Sequence, residues 1–468
     1  MKIDKNLLNA VLRQDLSSFI GKVFHTINPS SEYQPNWHID LIASYLREVE
    51  DGKIKRLIIN IPPRSLKSVC VSVAWPAWLM GHNPSKRIMV ACYSSTLSIK
   101  HSMDCRLILA SNWYKDLFPS CRLSKHHNQK SKFLTTSNGF RFATSVGGSA
   151  TGEGGDVLII DDPHNPTQIH SPKYREKAIE WFETTFVTRL NNKKTGAIIL
   201  VMQRLHDEDL TSHLISSGGW TVLKIPAIAN IDYEYNIGRK KYYYYKDHLL
   251  NSSRDQPEFL REIEREIGTR NFAAQFLQEP LPSSFNMLAL KDIIFYDEMP
   301  QCQYYVLSWD TAIKISENSD YSVGTCWGVL DMQYYLISMV RGKMGYPELK
   351  KAVEKQIEKY NPKYVLIEDK ASGQSLLQDL ILSEYKGIKA IKPTQDKVTR
   401  FASVVPLFQD QRVLLSNKSS VNREVIAELT NFPNHKHDDI VDSVSQFLNF
   451  IKTNKKQSIQ SNFIRSLY

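Results

Sequence analysis

Short, fully apolar runs alternate with segments of helical spacing in the first half of the chain. Each run is rich in Ile, Leu and Val and stops at polar residues or proline, as buried strands do. Strands without polar positions are typical of a parallel sheet that helices cover on both faces. The runs lie at 57–61, 87–94, 157–160 and 197–202, and two of the helical segments lie at 97–109 and 174–190.

The same alternation returns in the last third of the chain, where strand-like runs precede an amphipathic helix that starts near residue 439. Alternating strands and helices in both halves predict two α/β domains. The later strand-like runs lie at 304–310, 321–330, 334–342 and 364–369.

The region between the two halves has a different composition, with several prolines, a Lys- and Tyr-rich run at 239–246 and a charged helix at 259–268. We expect the tyrosines of this run to pack on a solvated linker face, and DNA tracking is the alternative. The predicted organisation is a first domain at 1–225, a linker or hinge at 226–300, a second domain at 301–452 and a basic, mobile tail at 453–468.

The composition is that of an ordinary globular chain, with 42% hydrophobic and 23% charged residues in a length of 468. The formal charge of +10 fits a polyanionic partner without establishing one. No apolar run approaches the roughly 18 residues of a membrane span, and the N-terminus lacks a signal-peptide core, which disfavours membrane insertion and secretion. The six cysteines form no CxxC pair and no Cys–His cluster along the sequence, so we expect reduced thiols and metals held by oxygen.

The first strand runs directly into the segment PPRSLKS at 62–68, which a helical pattern follows. This strand–loop–helix order is that of a P-loop, where backbone N–H groups hold phosphates, a lysine contacts the β- and γ-phosphates and a hydroxyl binds Mg²⁺. Lys67 and Ser68 fit the last two roles. Ile61 and Leu66 replace both glycines of the usual motif, so a plain surface loop is the alternative interpretation.

The strand at 157–160 ends in two acids, Asp161 and Asp162, which is the Walker B arrangement. We expect Asp161 to hold Mg²⁺ through water and Asp162 to orient or deprotonate the attacking water. An exposed acidic turn is the alternative, but the order and spacing after the Lys67 loop favour a nucleotide site.

Two further segments flank the predicted nucleotide site. The strand at 197–202 ends in Gln203 and Arg204, a polar pair placed to sense the γ-phosphate at the carboxyl edge of the sheet, and an ordinary strand end is the alternative. The glycine-rich stretch at 147–155 has no following lysine and precedes a strand, so it predicts a mobile loop near the nucleotide.

Carboxylates also stand at the ends of three elements in the second domain. Asp310 and Glu368 end strands, and Asp438, Asp439 and Asp442 open the last helix, where Asp439 and Asp442 share a face. Carboxylates that converge repel one another unless cations bridge them, and two hard divalent cations held in this way cleave phosphodiesters. The pattern predicts a nuclease site with two Mg²⁺ or Mn²⁺ ions, and separate solvated strand ends are the alternative. His437 beside these acids is a candidate ligand, proton donor or surface histidine.

Taken together, these motifs resemble the large subunit of tailed-bacteriophage terminases, over about residues 20–450. The resemblance implies an N-terminal additional-strand P-loop ATPase domain that pumps DNA into a procapsid, and a C-terminal RNase H-like nuclease domain that cuts concatemers. The segments that carry it are YQPNWHIDLIASYL (33–46), INIPPRSLKS (59–68), SVGGSATGEGGDVLIIDDPH (145–164), VMQRLHDEDL (201–210), FAAQFLQEP (272–280), LSWDTA (307–312), LIEDKASG (366–373) and HDDIVDSVSQFL (437–448).

The resemblance assigns roles residue by residue. Asp162 is the catalytic carboxylate of the ATPase, one methylene shorter than the usual glutamate, which makes it less secure as the sole base. Asp310, Glu368 and Asp439 are the metal-binding triad of the nuclease, Asp438 is an auxiliary ligand and Asp442 is the alternative to Asp439. The residues that hold ATP and its Mg²⁺ are Arg64, Ser65, Lys67, Ser68 and Asp161, with Gln203 and Arg204 as the motif that couples hydrolysis to movement.

The resemblance also implies partners: double-stranded DNA, a small terminase subunit, the capsid portal and further copies of the chain in a ring, a pentamer in this family. The place of action is the bacterial host cytoplasm, with transient docking on the procapsid and no membrane. Trp37 and His38 lie where such motors contact adenine, although a packed core aromatic is equally consistent. Arg106 and Arg141 are the candidates for an arginine finger that acts on a neighbouring subunit.

Two other functions use the same features. A P-loop helicase or repair nuclease combines the same two modules, and strand unwinding without a portal would favour it. An inactive, prophage-derived DNA-binding remnant would account for the missing P-loop glycines, but the retained nuclease acids argue against it.

Overall fold

The computed structural model of the chain describes residues 4–150, 152–282, 286–312, 321–369, 371–382, 385, 387–418 and 422–465, without the side chains of 127, 371, 372 and 455–465. Its contacts divide the chain into two compact units. The first unit comprises 1–262 and 270–283, and the second comprises 263–269 and 284–468. Residues 226–262 and 270–283, from the region between the two predicted domains, belong to the first unit.

The first unit is built on a sheet in which eight strands are described, in the order β3-β4-β5-β2-β6-β7-β1-β8. All neighbours run parallel except the β3–β4 and β4–β5 pairs at one edge. The strands are β1 (Arg56–Asn60), β2 (Arg87–Cys92), β3 (Leu123–Asn128), β4 (Lys132–Thr135), β5 (Phe140–Ser145), β6 (Val157–Asp161), β7 (Ala197–Met202) and β8 (Thr221–Lys224).

Helices cover both faces of this sheet, and a separate hairpin of β9 (Tyr233–Ile237) and β10 (Lys240–Tyr244) follows it. The P-loop helix begins as a π-helix at Val69–Ala74, and a second π-helix lies at Phe182–Phe186 before a 3₁₀ turn at Val187–Arg189. The α-helices are α1 (Lys5–Gln14), α2 (Leu16–Ile27), α3 (Trp37–Glu50), α4 (Trp75–His82), α5 (Ser95–Ala110), α6 (Asn112–Leu117), α7 (Pro172–Trp181), α8 (Leu210–Ser217), α9 (Pro257–Ile267), which continues into the second unit, and α10 (Thr269–Gln275).

The apolar runs of the sequence form the central strands of this sheet. Almost every residue of β1, β2, β6 and β7 is buried, because helices pack on both faces. Parallel strands end at one edge with their carboxyl termini, so the residues after β1, β2, β6 and β7 converge there. This edge holds the first candidate site.

The second unit has a mixed sheet in which seven strands are described, in the order β11-β17-β14-β13-β12-β15-β16. β12, β13 and β14 form an antiparallel meander, and β15 and β16 continue the sheet in parallel beside β12. The strands are β11 (Ile294–Tyr296), β12 (Tyr304–Asp310), β13 (Ser322–Leu330), β14 (Gln333–Gly342), β15 (Tyr364–Glu368), β16 (Ile388–Ile391) and β17 (Val413–Ser416).

The longest helix of this unit packs across the sheet on β12 and β13 through buried residues such as Val444 and Phe447. A 3₁₀ turn at Leu290–Asp292 precedes the first strand of the unit. The α-helices are α11 (Tyr346–Tyr360), α12 (Ala371–Leu382), α13 (Lys397–Ala402), α14 (Val405–Gln409), α15 (Asn422–Asn431) and α16 (Asp439–Arg465). Over the described residues, no helix is both long enough and apolar enough to cross a bilayer.

Candidate functional sites

The loop after β1 is sharply turned although it lacks the glycines of a P-loop. Arg64 and Leu66 both have left-handed backbone angles, with φ of 62° and 59°. This region is costly for residues with a Cβ atom and is normally occupied by glycine, so the loop holds backbone strain at these two positions. The segment is therefore a shaped turn that leads into the helix after Ser68, rather than a plain surface loop.

Lys67 lies at the centre of the first site. Its side chain is buried, and its Nζ is 3.1 Å from Asp162 Oδ2 and 3.3 Å from Gln203 Oε1. Three segments that are far apart in sequence thus meet around one ammonium group, as the sequence predicts for Lys67, Asp162 and Gln203.

Asp161 ends β6 beside the P-loop helix and is fully buried. Ser68 Oγ donates to its Oδ1 at 3.1 Å, and Ser72 Oγ donates to its Oδ2 at 2.6 Å. Burial raises the pKa of Asp161, while the hydrogen bond from Ser72 and the charge of Lys67 oppose the shift. The pairing of Ser68 with Asp161 is the arrangement that holds Mg²⁺ in P-loop hydrolases.

Asp162, the next residue, turns the opposite way. Its φ of 48° is left-handed, which directs its carboxylate toward Lys67 while Asp161 stays under the P-loop helix. Burial raises the pKa of Asp162, and the charge of Lys67 opposes the shift. Neighbouring acids in two environments are the usual basis for two separate roles.

Arg204 does not point to the phosphate loop. Its Nε donates to Asp209 Oδ2 at 2.9 Å, and its guanidinium also contacts Ser212 Oγ and the carbonyl of His206. Asp209 in turn caps the first turn of α8 through the Ser212 N–H. The pair therefore divides its contacts: Gln203 faces Lys67 and Arg204 fastens the start of α8.

A cavity of about 160 Å³ opens beside the P-loop, bordered by α3 and by residues after β10. His38 lines it, and burial lowers the pKa of His38 to about 4, so its ring is neutral at physiological pH. Trp37 lies elsewhere, stacked on Tyr242 with ring centroids 4.5 Å apart, which is the core-aromatic alternative. The polar residues around the cavity are Glu32, Gln34, His38, Arg64, Ser65, Asn251 and Arg254.

The two arginine-finger candidates differ in the solvent exposure of their side chains. Arg141 is fully buried and donates to the carbonyl of Ser72, so it cannot reach the nucleotide of a neighbouring subunit. Arg106 is partly exposed and contacts Asn128.

The second candidate site is at one edge of the other sheet. β12 and β15 are parallel neighbours whose last paired residues are Trp309 and Ile367, so Asp310 and Glu368, one residue further, stand side by side. Glu368 is buried and Asp310 is half-buried.

The start of α16 is fixed against this same edge. Ser308 Oγ donates to the carbonyl of Ser443, and Ser443 Oγ donates to the carbonyl of Ser308, both at 2.8 Å. Gln446 Nε2 donates to the carbonyls of Trp309 and Leu366 at 3.2 and 3.4 Å. These bonds join the first turns of α16 to the residues just before Asp310 and Glu368.

Two cations of α13 lie among the acids. Arg400 bridges Glu368 and Asp442. Its Nη1 is 3.3 Å from Glu368 Oε1, and its Nη2 donates a hydrogen bond to Asp442 Oδ1. Lys397 Nζ contacts Asp438 Oδ1 at 2.6 Å and Asp442 Oδ2 at 2.8 Å. Glu368 and Asp442 thus lie within the span of one guanidinium.

Asp439 is buried and lies toward β14, where Arg341 Nη2 is 3.7 Å from its Oδ2. The same Arg341 nitrogen is 3.7 Å from Glu428 Oε2, and Glu428 Oε1 accepts the N–H groups of Ile440 and Val441 at the start of α16. Burial raises the pKa of Glu428. His437 packs edge-to-face on Tyr321, with centroids 5.3 Å apart.

The acids of this edge fit hard divalent cations. The set consists of carboxylate oxygens, which Mg²⁺ and Mn²⁺ prefer, and positive charge from Lys397, Arg400 and Arg341 offsets only part of its negative charge in the fold. Burial raises the pKa of Asp442, and the charge of Arg400 opposes the shift.

Comparison with known proteins bears on the fold of both units. Residues 307–450 match the family described as the terminase RNaseH-like domain. This segment is therefore an RNase H-like domain of the kind found in terminases. No curated protein matches the chain.

Solved terminase structures match nearly the whole chain. The large terminase of a thermophilic bacteriophage, in its crystal form 2, aligns with a TM-score of 0.54 at 12% identity, over 89% of this chain and 99% of that one. The ADP complex of the same thermophilic phage protein gives 0.50 at 12% identity, over 86% and 94%. The large terminase of bacteriophage HK97 gives 0.40 at 12% identity, over 93% and 98%. The likeness to the thermophilic phage protein shows that the chain has the fold of a phage large terminase.

The resemblance found in the sequence and the predicted fold class, a P-loop ATPase domain followed by an RNase H-like domain, are therefore confirmed. Sequence reasoning missed several residues that contact the acids of the two candidate sites. Lys397 and Arg400, three residues apart on a short helix, offered a weak signal, since buried acids need counter-charges. The missed residues are Ser72, Arg341, Lys397, Arg400 and Glu428.

Proposed function

We propose that the chain is the large terminase subunit of a tailed bacteriophage, which drives double-stranded viral DNA into a procapsid with ATP and cuts concatemeric DNA with a metal-dependent nuclease. The observation that carries this proposal is the gathering of Lys67, Asp161, Asp162 and Gln203 in the first unit. The acids at the ends of β12 and β15 and at the start of α16 support the second activity.

In the proposed ATPase, Lys67 contacts the β- and γ-phosphates, and Ser68 and Asp161 hold Mg²⁺, which neutralises phosphate charge when bound. Lys67 pairs with Asp162 in the structure, and a phosphate that takes over this lysine frees the Asp162 carboxylate for the attacking water. The raised pKa of Asp162 suits a group that accepts a proton. Arg64 and Ser65 line the cavity beside the loop, which has room for part of the nucleotide.

The coupling role of Gln203 and Arg204 follows from their divided contacts. Gln203 touches the lysine that the γ-phosphate would engage, and Arg204 clamps Asp209 at the start of α8. Loss of the γ-phosphate would thus change the contact between Gln203 and Lys67. Arg204, the next residue, holds the start of α8 through Asp209. We propose that this connection transmits hydrolysis into movement.

In the proposed nuclease, Asp310, Glu368 and Asp439 hold two divalent cations, Mg²⁺ or Mn²⁺, with Asp438 as an auxiliary ligand. When bound, such cations activate water and stabilise the leaving oxygen. Asp442 remains a second candidate for the third position, because Arg400 joins it directly to Glu368.

The proposed division of labour is ATPase at 1–225, hinge at 226–300 and nuclease at 301–452, with basic residues at 453–468. The proposed partners are double-stranded DNA, a small terminase subunit, the capsid portal and further copies of the chain in a ring on the portal, a pentamer by resemblance. The proposed location is the host cytoplasm, with docking on the procapsid.

Two substitutions test the assignment in purified protein. We expect Lys67→Ala to lower ATP hydrolysis by about 100-fold or more, since it removes a charge that stabilises the transferring phosphate, and to leave plasmid cleavage intact. We expect Asp310→Ala to abolish cleavage with Mg²⁺ or Mn²⁺ and to leave ATP hydrolysis intact.

Lys53→Ala and Asp410→Ala, at exposed positions of the respective units, serve as matched controls. If Lys67→Ala retained ATPase activity, or Asp310→Ala retained cleavage, the corresponding site would be assigned wrongly. Strand unwinding by the isolated wild-type chain would support a helicase instead.

A further inference from the structure

A buried cluster of three metal-ligating side chains lies behind the proposed Mg²⁺ position, and the nucleotide mechanism does not use two of them. Cys92 ends β2 and is the register partner of Asp161 on β6, so both side chains project from the same face of the sheet. His101 of α5 packs over them. The ligand atoms of Cys92, His101 and Asp161 all lie within 4.8 Å of one another, and all three residues are buried.

The distances in this cluster are close to those of a tetrahedral metal centre. His101 Nδ1 is 3.4 Å from Asp161 Oδ2 and 3.8 Å from Cys92 Sγ. Bonds of about 2.3 Å to sulfur and about 2.0–2.1 Å to nitrogen and oxygen place tetrahedral ligands about 3.3–3.6 Å apart. The His101–Asp161 distance lies in this range and the His101–Cys92 distance is slightly longer, so a small movement of the thiol brings the ligands to tetrahedral spacing.

The donor set selects its cation. A thiolate and an imidazole favour Zn²⁺ and Co²⁺ over Mg²⁺, which prefers oxygen alone. Along the sequence Cys92, His101 and Asp161 show no metal-binding spacing, and only the pairing of β2 with β6 brings them together. Among the described residues, this is the one group of its kind that includes a sulfur ligand.

We propose that Cys92, His101 and Asp161 form a binding site for a thiophilic divalent cation of the Zn²⁺ class, which inhibits ATP hydrolysis when occupied. Binding replaces the thiol proton of Cys92 and engages Asp161 Oδ2. Asp161 is the acid whose other oxygen contacts Ser68, so the bound cation withdraws it from Mg²⁺. The inhibitory consequence rests on the proposed ATPase function, whereas the binding site does not.

The first experiment measures binding without any activity assay. Co²⁺ is added to the full chain in the absence of nucleotide, and the near-ultraviolet charge-transfer absorption of a Co²⁺–thiolate bond is recorded. We expect a one-equivalent band that Zn²⁺ displaces, that Cys92→Ser and Cys92→Ala both lose, and that Cys105→Ser retains. Cys105 is buried in α5 outside the cluster. The nuclease acids do not interfere, because carboxylate ligands give no thiolate band.

A missing band in the wild-type chain, or a band that persists in folded Cys92→Ser and Cys92→Ala, would overturn the site. Circular dichroism of each variant establishes that it is folded. Saturation with ATPγS and Mg²⁺ should weaken Co²⁺ binding at least tenfold, since both cations draw on Asp161. Binding unchanged by the nucleotide would overturn the competition.

The second experiment measures Mg²⁺-dependent ATP hydrolysis with increasing Zn²⁺. We expect inhibition in the wild-type and Cys105→Ser chains, and at least a tenfold higher inhibitory concentration in Cys92→Ser, each relative to its own zinc-free rate. A thiolate band without inhibition would overturn the regulatory part. Absence of ATP hydrolysis under all conditions would instead overturn the proposed motor, and the absorption band would still decide the site.

Discussion

Leu66 shows how a single residue can carry a functional backbone shape at a cost. It occupies the place of a P-loop glycine with φ of 59°, and left-handed angles cost residues with a Cβ atom about 1–2 kcal/mol. Its side chain offsets part of this cost by packing against the core of the first unit. The loop keeps its shape because surrounding contacts, such as the one from Arg254 to the Arg64 carbonyl, fix it.

We expect Leu66→Gly to retain ATP hydrolysis and to change the free energy of unfolding by less than about 1 kcal/mol, because relief of strain offsets the lost packing. The free energy of unfolding of Leu66→Val should be about 1–2 kcal/mol lower than that of Leu66→Gly, since a β-branched residue is poorly tolerated at positive φ. Urea unfolding and ATPase assays of both variants test this. Greater stability of the valine variant would contradict it.

Arg400 gives a second prediction at this scale, because it compensates two buried carboxylates. Removing one partner of a buried ion pair costs about 3–5 kcal/mol where a charge is left without compensation, and the remaining contact of Lys397 with Asp442 places the expected cost at the lower end. We expect Arg400→Gln to destabilise the second unit by about 3 kcal/mol in EDTA, and Mn²⁺ to recover part of the loss by neutralising Glu368 and Asp442. Thermal unfolding with EDTA and with Mn²⁺ measures both effects.

Arg412→Gln is the matched control, since Arg412 directly precedes β17 and contacts Met332 and Tyr334 rather than the acids. Mn²⁺ should stabilise this control no more than it stabilises the wild-type chain. An equal Mn²⁺ effect in Arg400→Gln would indicate that no cation replaces the guanidinium.

The sequence predicted these sites to different depths for a physical reason. Lys67, Ser68 and Asp161 belong to local motifs, so their spacing along the chain was enough to indicate them as candidates. Arg400 and Lys397 contact the acids only because α13 packs beside β15 and α16, and such tertiary pairing leaves no period along the chain.

Whether a strand could be predicted from the sequence depended on how deeply it is buried. The strands β1, β2, β6 and β7 were predictable because burial on both faces makes them continuously apolar. β10 lies in the predicted linker as part of a hairpin, where its Tyr244 is buried and its Tyr243 is exposed. Its mixed composition hid the strand pattern.

The N-terminus of α8 illustrates how an element depends on protonation. His164 Nε2 accepts the N–H of Leu210 at 3.0 Å, which requires a neutral ring. Burial lowers the pKa of His164 to about 4, from about 6.5 when unfolded. Between these values the unfolded chain binds a proton that the folded chain does not, so stability falls as the pH falls.

We expect His164 to contribute a loss of about 1 kcal/mol between pH 7.5 and 5.5. His164→Gln keeps an acceptor without titrating, so its loss of stability over this interval should be smaller by that amount. His38, His101 and His206 are also buried with lowered pKa values, so the stability of His164→Gln should still fall somewhat as the pH falls. Calorimetry at the two pH values decides it, and identical slopes would exclude the effect of His164.

At the scale of the whole molecule, two units carry two separate sets of acids, each joined to internal cations. The first set meets Lys67, and the second meets Lys397, Arg400 and Arg341. The alternation of strands and helices predicted both sheets, because each is a local consequence of burial. The assignment of 226–262 and 270–283 to the first unit was hidden, because it depends on long-range contacts such as that of Lys224 with Glu279.

The net charge of +10 leads to the last prediction, which concerns DNA as a polymer. A packaging motor must accept every base that passes, so its contacts should fall on phosphates and release counterions. We expect the affinity for a duplex to fall by about 10³-fold between 50 and 200 mM salt, as for roughly six phosphate contacts, and to fall equally for two duplexes of unrelated sequence. Fluorescence anisotropy in EDTA, which prevents cutting, measures both. A flat salt dependence, or two sequences that diverge with salt, would show that base contacts dominate and that the chain does not bind DNA as a motor must.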